Sequence, residues 1–112
     1  GEDRRQRLYD ALAALDAAQQ IARLDNTPLK YGIYQDTRAN VLLALADTPD
    51  EDRPARLRQS LRCSAESIAL FGEYQNEALR QEALTTFTAI QTACGPDFPT
   101  LWQSLNLGDP PA

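Results

Sequence analysis

The sequence predicts an all-α fold, a right-handed α-solenoid of two antiparallel helical hairpins followed by a short C-terminal capping helix. Apolar residues recur at three- and four-residue steps along four long segments, as in amphipathic helices. Breaks rich in proline, glycine or acidic residues separate these segments. The sequence pattern at the start of the chain is repeated after the second helical segment. No segment has the pattern of a strand. A closed four-helix bundle is the alternative architecture.

The length and composition are those of one soluble domain, expected to span residues 1–112. Of the 112 residues, 43% are hydrophobic and 24% are charged, a balance that suits a globular domain with a modest core. No apolar run reaches the roughly 18 residues needed to cross a membrane, and no signal peptide is visible. We therefore expect no membrane association and a cytoplasmic location.

Charge and residue usage argue against several function classes. The net charge is −5, and an acidic domain repels the phosphate backbone of nucleic acid. The chain has no histidine, the commonest general base and metal ligand at neutral pH. Its cysteines, Cys63 and Cys94, lack metal-site spacing and are expected to be buried and reduced. We expect no catalytic residues, no cofactor, no metal and no enzymatic activity.

The first two helices are predicted over residues 3–24 and 28–46. The first is rich in Ala and Leu and has no internal Gly or Pro. Pro28 suits the first position of the second helix, after Thr27, which is a helix-capping residue type. Arg38 falls beside the apolar face of the second helix, where an unpaired charge is costly. We expect it to pair with an acid of a neighbouring helix or to mark a polar pocket.

The third and fourth helices are predicted over residues 51–72 and 75–93. Acidic residues precede Arg53 and suit the positive end of the dipole at the start of the third helix. Gly72 is the candidate for the left-handed residue that ends this helix. The segment CGPDFP ends the fourth helix, because glycine and two prolines interrupt a helical pattern.

A short fifth helix is predicted over residues 97–105. It places Phe98, Leu101 and Trp102 on one face. Because repeat arrays need atypical terminal elements to close their cores, we expect these residues to cover the end of the last hairpin. The alternative is an interface anchored by Trp102, since tryptophan is enriched at binding hot spots.

The start of the chain, GEDRRQRLYDAL, recurs in the stretch TPDEDRPARLRQSL. Both contain an acidic pair followed by arginine and then an Arg-Leu step, and Glu51 lies 49 positions after Glu2 (51 − 2). A repeat of about fifty residues made of two helices is typical of a solenoid unit. We interpret the paired Glu-Asp-Arg segments as exposed helix-start charges at the joints between repeats. A carboxylate site for acid–base chemistry or binding is the alternative.

Two phrases, TPLKYGIYQDTRANVLLALA and LADTPDEDRPARLRQSLRCSAESIAL, resemble an extended tetratricopeptide-like (TPR-like) helical repeat of bacterial proteins. The resemblance covers about residues 1–93. Proteins of this family generally act as interaction scaffolds, so it implies a non-enzymatic protein–protein interaction module. Because position 1 is glycine and methionine is absent, we expect a fragment of a longer bacterial repeat protein.

A polar stripe on the second and fourth helices is the predicted binding site. By the family alignment these helices line the concave face of the array, so their stripes should lie side by side in one shallow groove. Short amide, hydroxyl and carboxylate groups there would bind a segment of a partner protein or peptide, and an ordinary solvated face is the alternative. The stripe consists of Asp36, Thr37, Asn40, Gln81, Thr85 and Thr88.

Self-association is the alternative function, in a helical oligomerisation or regulatory domain. The amino-terminal end has no covering element like the fifth helix, which would leave Leu8, Leu12 and Leu15 partly exposed. Exposed apolar surface of this kind favours association. On this interpretation the chain forms a homodimer through its uncapped repeat ends.

Overall fold

The fold is all-α, with four long helices and a short fifth, as the sequence predicts. The computed structural model describes residues 2–111, so the first and last residues of the predicted domain lie outside it. Helix α1 spans Glu2–Leu24, α2 spans Pro28–Ala46, α3 spans Arg53–Glu73, α4 spans Glu77–Cys94 and α5 spans Phe98–Gln103. A 3-10 turn at Gly95–Asp97 joins α4 to α5, and no strand occurs within residues 2–111.

Side-chain caps determine where α3 and α4 begin. Asp52 accepts a hydrogen bond from the backbone N–H of Ala55 at 3.1 Å, and Asn76 accepts one from that of Leu79 at 3.0 Å. The caps themselves are not helical, so each helix begins two residues later than predicted. Thr27 does not cap α2 in this way, because its hydroxyl donates to the carbonyl of Ala22 at 3.1 Å.

The prediction that Gly72 ends α3 in a left-handed conformation is wrong. Gly72 lies inside the helix, and the residue with positive φ is Gln75, at 56°. The N–H of Gln75 donates to the carbonyl of Gly72 at 3.1 Å, and that of Asn76 donates to Phe71 at 2.9 Å. These two bonds form a Schellman motif, which satisfies carbonyls at the end of α3 without a glycine.

Helices that follow one another in the chain pack against one another as hairpins. The most extensive packing is between α2 and α3, followed by α3 with α4 and α1 with α2, and α2 also contacts α4. Within residues 2–111, α1 makes no comparably extensive contact with α4. The centre of the core consists of Ala39, Leu42, Leu45, Leu57, Leu61, Ile68, Phe71, Ala83, Phe87 and Ile90.

Small residues allow α2 and α3 to approach closely. Ser60, Ser64 and Ser67 are fully buried along α3, and the Ser60 hydroxyl donates to the carbonyl of Ala39 in α2 at 2.6 Å. Gly32 lies against Phe71, and a Cβ atom added to it would be only 2.7 Å from the phenyl ring. Because side chains are minimal at this interface, the backbones of α2 and α3 lie close together.

The fifth helix folds onto the end of the core through an aromatic cluster. The ring of Phe87 packs edge-on against Phe98 and Trp102, with centroid distances of 6.0 and 5.5 Å. Trp102 is buried, and its indole N–H donates to the carbonyl of Gly108 at 2.8 Å, which holds the C-terminal segment against α5. Leu101 is half-buried and packs against the same core.

Candidate functional site

Asp36 and Asn40, two of the predicted site residues, lie where α2 meets α4. The Asn40 amide donates to the Thr86 hydroxyl at 3.3 Å and to the Asp36 carbonyl at 3.1 Å. Asp36 is half-buried, and its Oδ1 atom is buried with no hydrogen-bond partner among residues 2–111. The junction of α2 and α4 therefore has unused hydrogen-bonding capacity on a carboxylate oxygen.

The surroundings of Asp36 favour its protonated form. Burial raises the pKa of the Asp36 carboxyl above its ordinary value, and the nearby Glu82 carboxylate raises it further. The neighbouring Thr86 hydroxyl acts in the opposite direction and lowers the pKa of the Asp36 carboxyl. Two acids and a hydroxyl thus meet between α2 and α4.

The other four residues of the predicted stripe are exposed and bond within their own helices. The hydroxyls of Thr37, Thr85 and Thr88 donate to the carbonyls four residues earlier, at 3.0–3.1 Å. The Gln81 amide donates to Glu77 at 2.7 Å. These side chains make no direct hydrogen bond to Asp36 or Asn40 within residues 2–111, so the six residues do not form one connected cluster.

Sequence reasoning missed Glu82 and Thr86, which take the places next to Asp36 and Asn40. The predicted stripe implies a shift of 45 positions between α2 and α4, which pairs Asn40 with Thr85 (40 + 45). A shift of 46 pairs Asp36 with Glu82 and Asn40 with Thr86 (36 + 46 and 40 + 46), and 46 is the separation seen in the hydrogen bond between the two helices. Gln81 and Thr85 have the same four-residue spacing as Glu82 and Thr86, so spacing alone could not have identified the second pair.

Arg38 pairs with an acid of a neighbouring helix, as expected. It forms an ion pair with Asp16 of α1 and also donates to Gln19 at 3.3 Å. Gln19 and Gln35 are buried and hydrogen-bonded to each other, and Gln35 donates to Glu66 of α3 at 2.7 Å. This chain of polar contacts connects α1, α2 and α3.

Glu51, interpreted from the sequence as an exposed helix-start charge, is the centre of a polar cluster. Its side chain is only 2% exposed and forms ion pairs with Arg5 at 2.7 Å and Arg56 at 2.8 Å. The Tyr9 hydroxyl donates to it at 2.8 Å and accepts a hydrogen bond from Arg56 at 2.8 Å. These contacts lower the pKa of the Glu51 carboxyl to about 2. The cluster therefore joins α1 to α3, whereas Asp52 is the helix cap.

Both cysteines are buried and unpaired, as predicted. Burial raises the pKa of the Cys63 thiol to about 11 and also raises that of Cys94. A neutral thiol is a weak nucleophile at neutral pH. Within residues 2–111, no three side chains of the metal-binding types come together, and no helix is long and apolar enough to span a membrane.

Comparisons place no known protein beside this chain: no known protein family, curated protein or solved structure matches it. The function of the chain is therefore inferred from the contacts between α1, α2, α3 and α4 described above.

Proposed function

We propose that the chain is a non-enzymatic protein–protein interaction module of TPR-like architecture. In this proposal the exposed faces of α2 and α4 bind a segment of a partner protein. The observation that carries the proposal is the junction of these helices, where a buried oxygen of Asp36 has no partner within residues 2–111. Because this oxygen is itself buried, a bound segment would contact the junction through its exposed neighbours Thr37 and Asn40.

The order of packing supports an open array of hairpins. A closed four-helix bundle would bring α1 alongside α4, and such extensive contact does not occur within residues 2–111. In an array, α2 and α4 lie on the same side, and their contact is consistent with that arrangement. The right-handed twist of a TPR-like solenoid is part of the proposal.

The chemistry of the nucleophiles supports a binding role over catalysis. Histidine is absent from the sequence, and the two thiols have raised pKa values. The charged side chains of Arg38 and Glu51 are used in contacts between helices. The Arg38 and Glu51 side chains therefore stabilise the fold. The exposed threonines of α2 and α4 remain accessible to a partner.

The experiment is peptide selection followed by competition with charged variants. Peptides selected from a random display library on the wild-type chain are tested on the double variant Thr37→Arg and Thr85→Arg. Both threonines are exposed and bond only to carbonyls of their own helices, so their replacement leaves the packing intact. The double variant Ala13→Arg and Gln20→Arg, at two exposed positions on α1, is the matched charge control.

We expect peptide affinity to fall at least tenfold, a loss of about 1.4 kcal/mol, in the double variant and to stay unchanged in the control. Circular dichroism verifies that both variants retain their helices. Selected peptides that bind the double variant as tightly as the wild type would show that α2 and α4 are not the binding face.

A second candidate function is self-association through α1, favoured by a specific observation. Leu15 is buried and Leu8 and Leu12 are half-buried against the core, so these leucines do not provide the exposed surface. The exposed apolar residues lie on the opposite face of α1, where Ile21 is 60% exposed and Leu24 is 83% exposed. We propose a second copy of the chain as the partner of that face.

A further inference from the structure

We propose that a pocket between α1 and α3 binds a small anionic molecule through its phosphate or carboxylate group. The pocket has a volume of about 320 Å³, which is within the size range of small-molecule sites. Helix α2 also contributes to its wall. Seven residues line the pocket: Leu12, Arg38, Leu42, Arg56, Gln59, Arg62 and Cys63.

The three arginines of the pocket have N–H groups that are available to donate hydrogen bonds to a ligand. Arg62 is exposed and none of its five N–H groups has a partner within residues 2–111. Arg38 uses only Nη1, for Asp16 and Gln19, which leaves its Nε and Nη2 groups available. Arg56 uses one hydrogen of each nitrogen, for Glu51, Gln59 and Tyr9, which leaves one on Nη1 and one on Nη2. Guanidinium groups with paired free N–H donors bind oxyanions in a bidentate manner.

The contacts of Arg38 and Arg56 also hold them in place for such a ligand. Glu51 and Tyr9 orient Arg56 from the α1 side, and Asp16 orients Arg38. Asp16 and Glu51 each pair with one of these arginines, Glu66 near Cys63 accepts a hydrogen bond from Gln35, and no acidic side chain is among the residues that line the pocket. A local excess of positive charge is unusual on a chain whose net charge is −5, and it attracts anions.

The apolar wall restricts the ligand further. Leu12 of α1 and Leu42 of α2 lie beside the arginines in the pocket. A ligand with a charged group and a small apolar part would pair with the arginines and also pack against the two leucines. This site is separate from the proposed partner-binding face, because α2 lines it with Arg38 and Leu42 and not with Asp36, Thr37 or Asn40.

The test is titration of the folded chain with pyrophosphate, inorganic phosphate and citrate, followed by amide chemical-shift mapping. We expect saturable shifts at Gln59, Arg62 and Cys63. Arg62→Gln should reduce affinity at least fivefold, because Arg62 lines the pocket and forms no ion pair with the side chains that the structure describes. Arg7→Gln, an exposed arginine on α1 outside the pocket, is the control with the same loss of charge and should bind as the wild type does.

Comparing the affinities for the three anions shows whether the pocket prefers a phosphate or a carboxylate ligand. Tighter binding of pyrophosphate than citrate assigns a phosphate ligand, and the reverse order assigns a polycarboxylate. Two results overturn the proposal: no saturable shift with any of the anions at millimolar concentration, or equal losses of affinity in Arg62→Gln and Arg7→Gln. Because Arg62 makes no contact that holds helices together, the variant is expected to fold normally.

Discussion

Gly32 lies where α2 approaches α3 most closely, and its missing side chain is a structural requirement. A Cβ atom there would be 2.7 Å from Cε1 of Phe71 and 3.1 Å from Leu70, and the Phe71 ring is buried and unable to move away. Gly32→Ala should lower the free energy of unfolding by about 1 kcal/mol. Overpacking costs about 1–3 kcal/mol, and the better helix propensity of alanine offsets about 1 kcal/mol of it.

The matched control is Gly72→Ala, in the exposed part of α3. A Cβ atom at Gly72 would have only the Arg80 side chain near it, at 4.0 Å. Alanine should therefore raise the free energy of unfolding by up to about 1 kcal/mol through helix propensity alone. Urea denaturation followed by circular dichroism measures both changes. Equal effects of the two substitutions would contradict the close approach of α2 and α3.

The end of α3 illustrates why single residues were harder to predict than helices. Gly72 is the residue type most often found in a left-handed cap, yet Gln75 has the positive φ. The cap position depends on which carbonyls the loop to α4 leaves open, and Asn76 fixes it by capping α4. Conformational propensity indicates which residue types favour a left-handed cap. The length of the loop between α3 and α4 determines which position in the chain adopts it.

The Glu51 cluster connects elements and makes their packing depend on pH. The pKa of Glu51 is about 2, below its ordinary value of 4.5, so the folded chain binds the proton less tightly than the unfolded chain. The stabilisation from this cluster is complete above pH 4.5 and is lost as the pH falls from about 4.5 to about 2. We expect the melting temperature to decrease over that interval.

Comparison with Glu51→Gln isolates this contribution. The variant should melt at a lower temperature than the wild type at pH 7, and the difference should shrink as the pH falls towards 2. The comparison is needed because Asp36 has a raised pKa, and its protonation favours the folded state as the pH falls. A difference in melting temperature that stays constant from pH 7 to pH 2 would show that Glu51 is not held as an anion.

The helices themselves could be predicted because their signals are local. Apolar spacing identified all five, and the ends of α1 and α2 agree with prediction to within one residue. The role of Glu51 could not be predicted, because Arg5 and Tyr9 are 46 and 42 residues away from it along the chain. Its burial results from side chains of α1 that reach the start of α3, which no local pattern encodes.

At the scale of the whole molecule, the predicted site depended on the register between two hairpins. A shift of one residue on α4 replaces Thr85 with Thr86 as the neighbour of Asn40. Sequence similarity between the hairpins is too weak to determine that register. The spacing of apolar residues in the sequence therefore indicated that α2 and α4 meet. Only the packing of the two helices determines which of their side chains are in contact.

The outer face of α1 is the surface that we propose for pairing with a second copy. Ala14 and Ala17 precede Ile21 and Leu24 at three- and four-residue steps, and all four are exposed. In an antiparallel pair, Ala14 and Ala17 of one α1 helix would lie opposite Ile21 and Leu24 of the other. Because Ile21 is 60% and Leu24 83% exposed, burying both in both copies contributes at most about 4–9 kcal/mol. Association costs about 4–15 kcal/mol, so we expect a weak dimer.

Light scattering over a range of concentrations tests this dimer. The wild type should change from monomer to dimer as concentration rises, and Ile21→Lys should remain monomeric because a buried lysine would be unpaired in the interface. Ile33→Lys makes the same substitution at an exposed isoleucine on α2 and should still dimerise. A wild-type monomer at every concentration would rule out self-association. Equal loss of the dimer in both variants would place the interface elsewhere, because only Ile21 belongs to the α1 stripe.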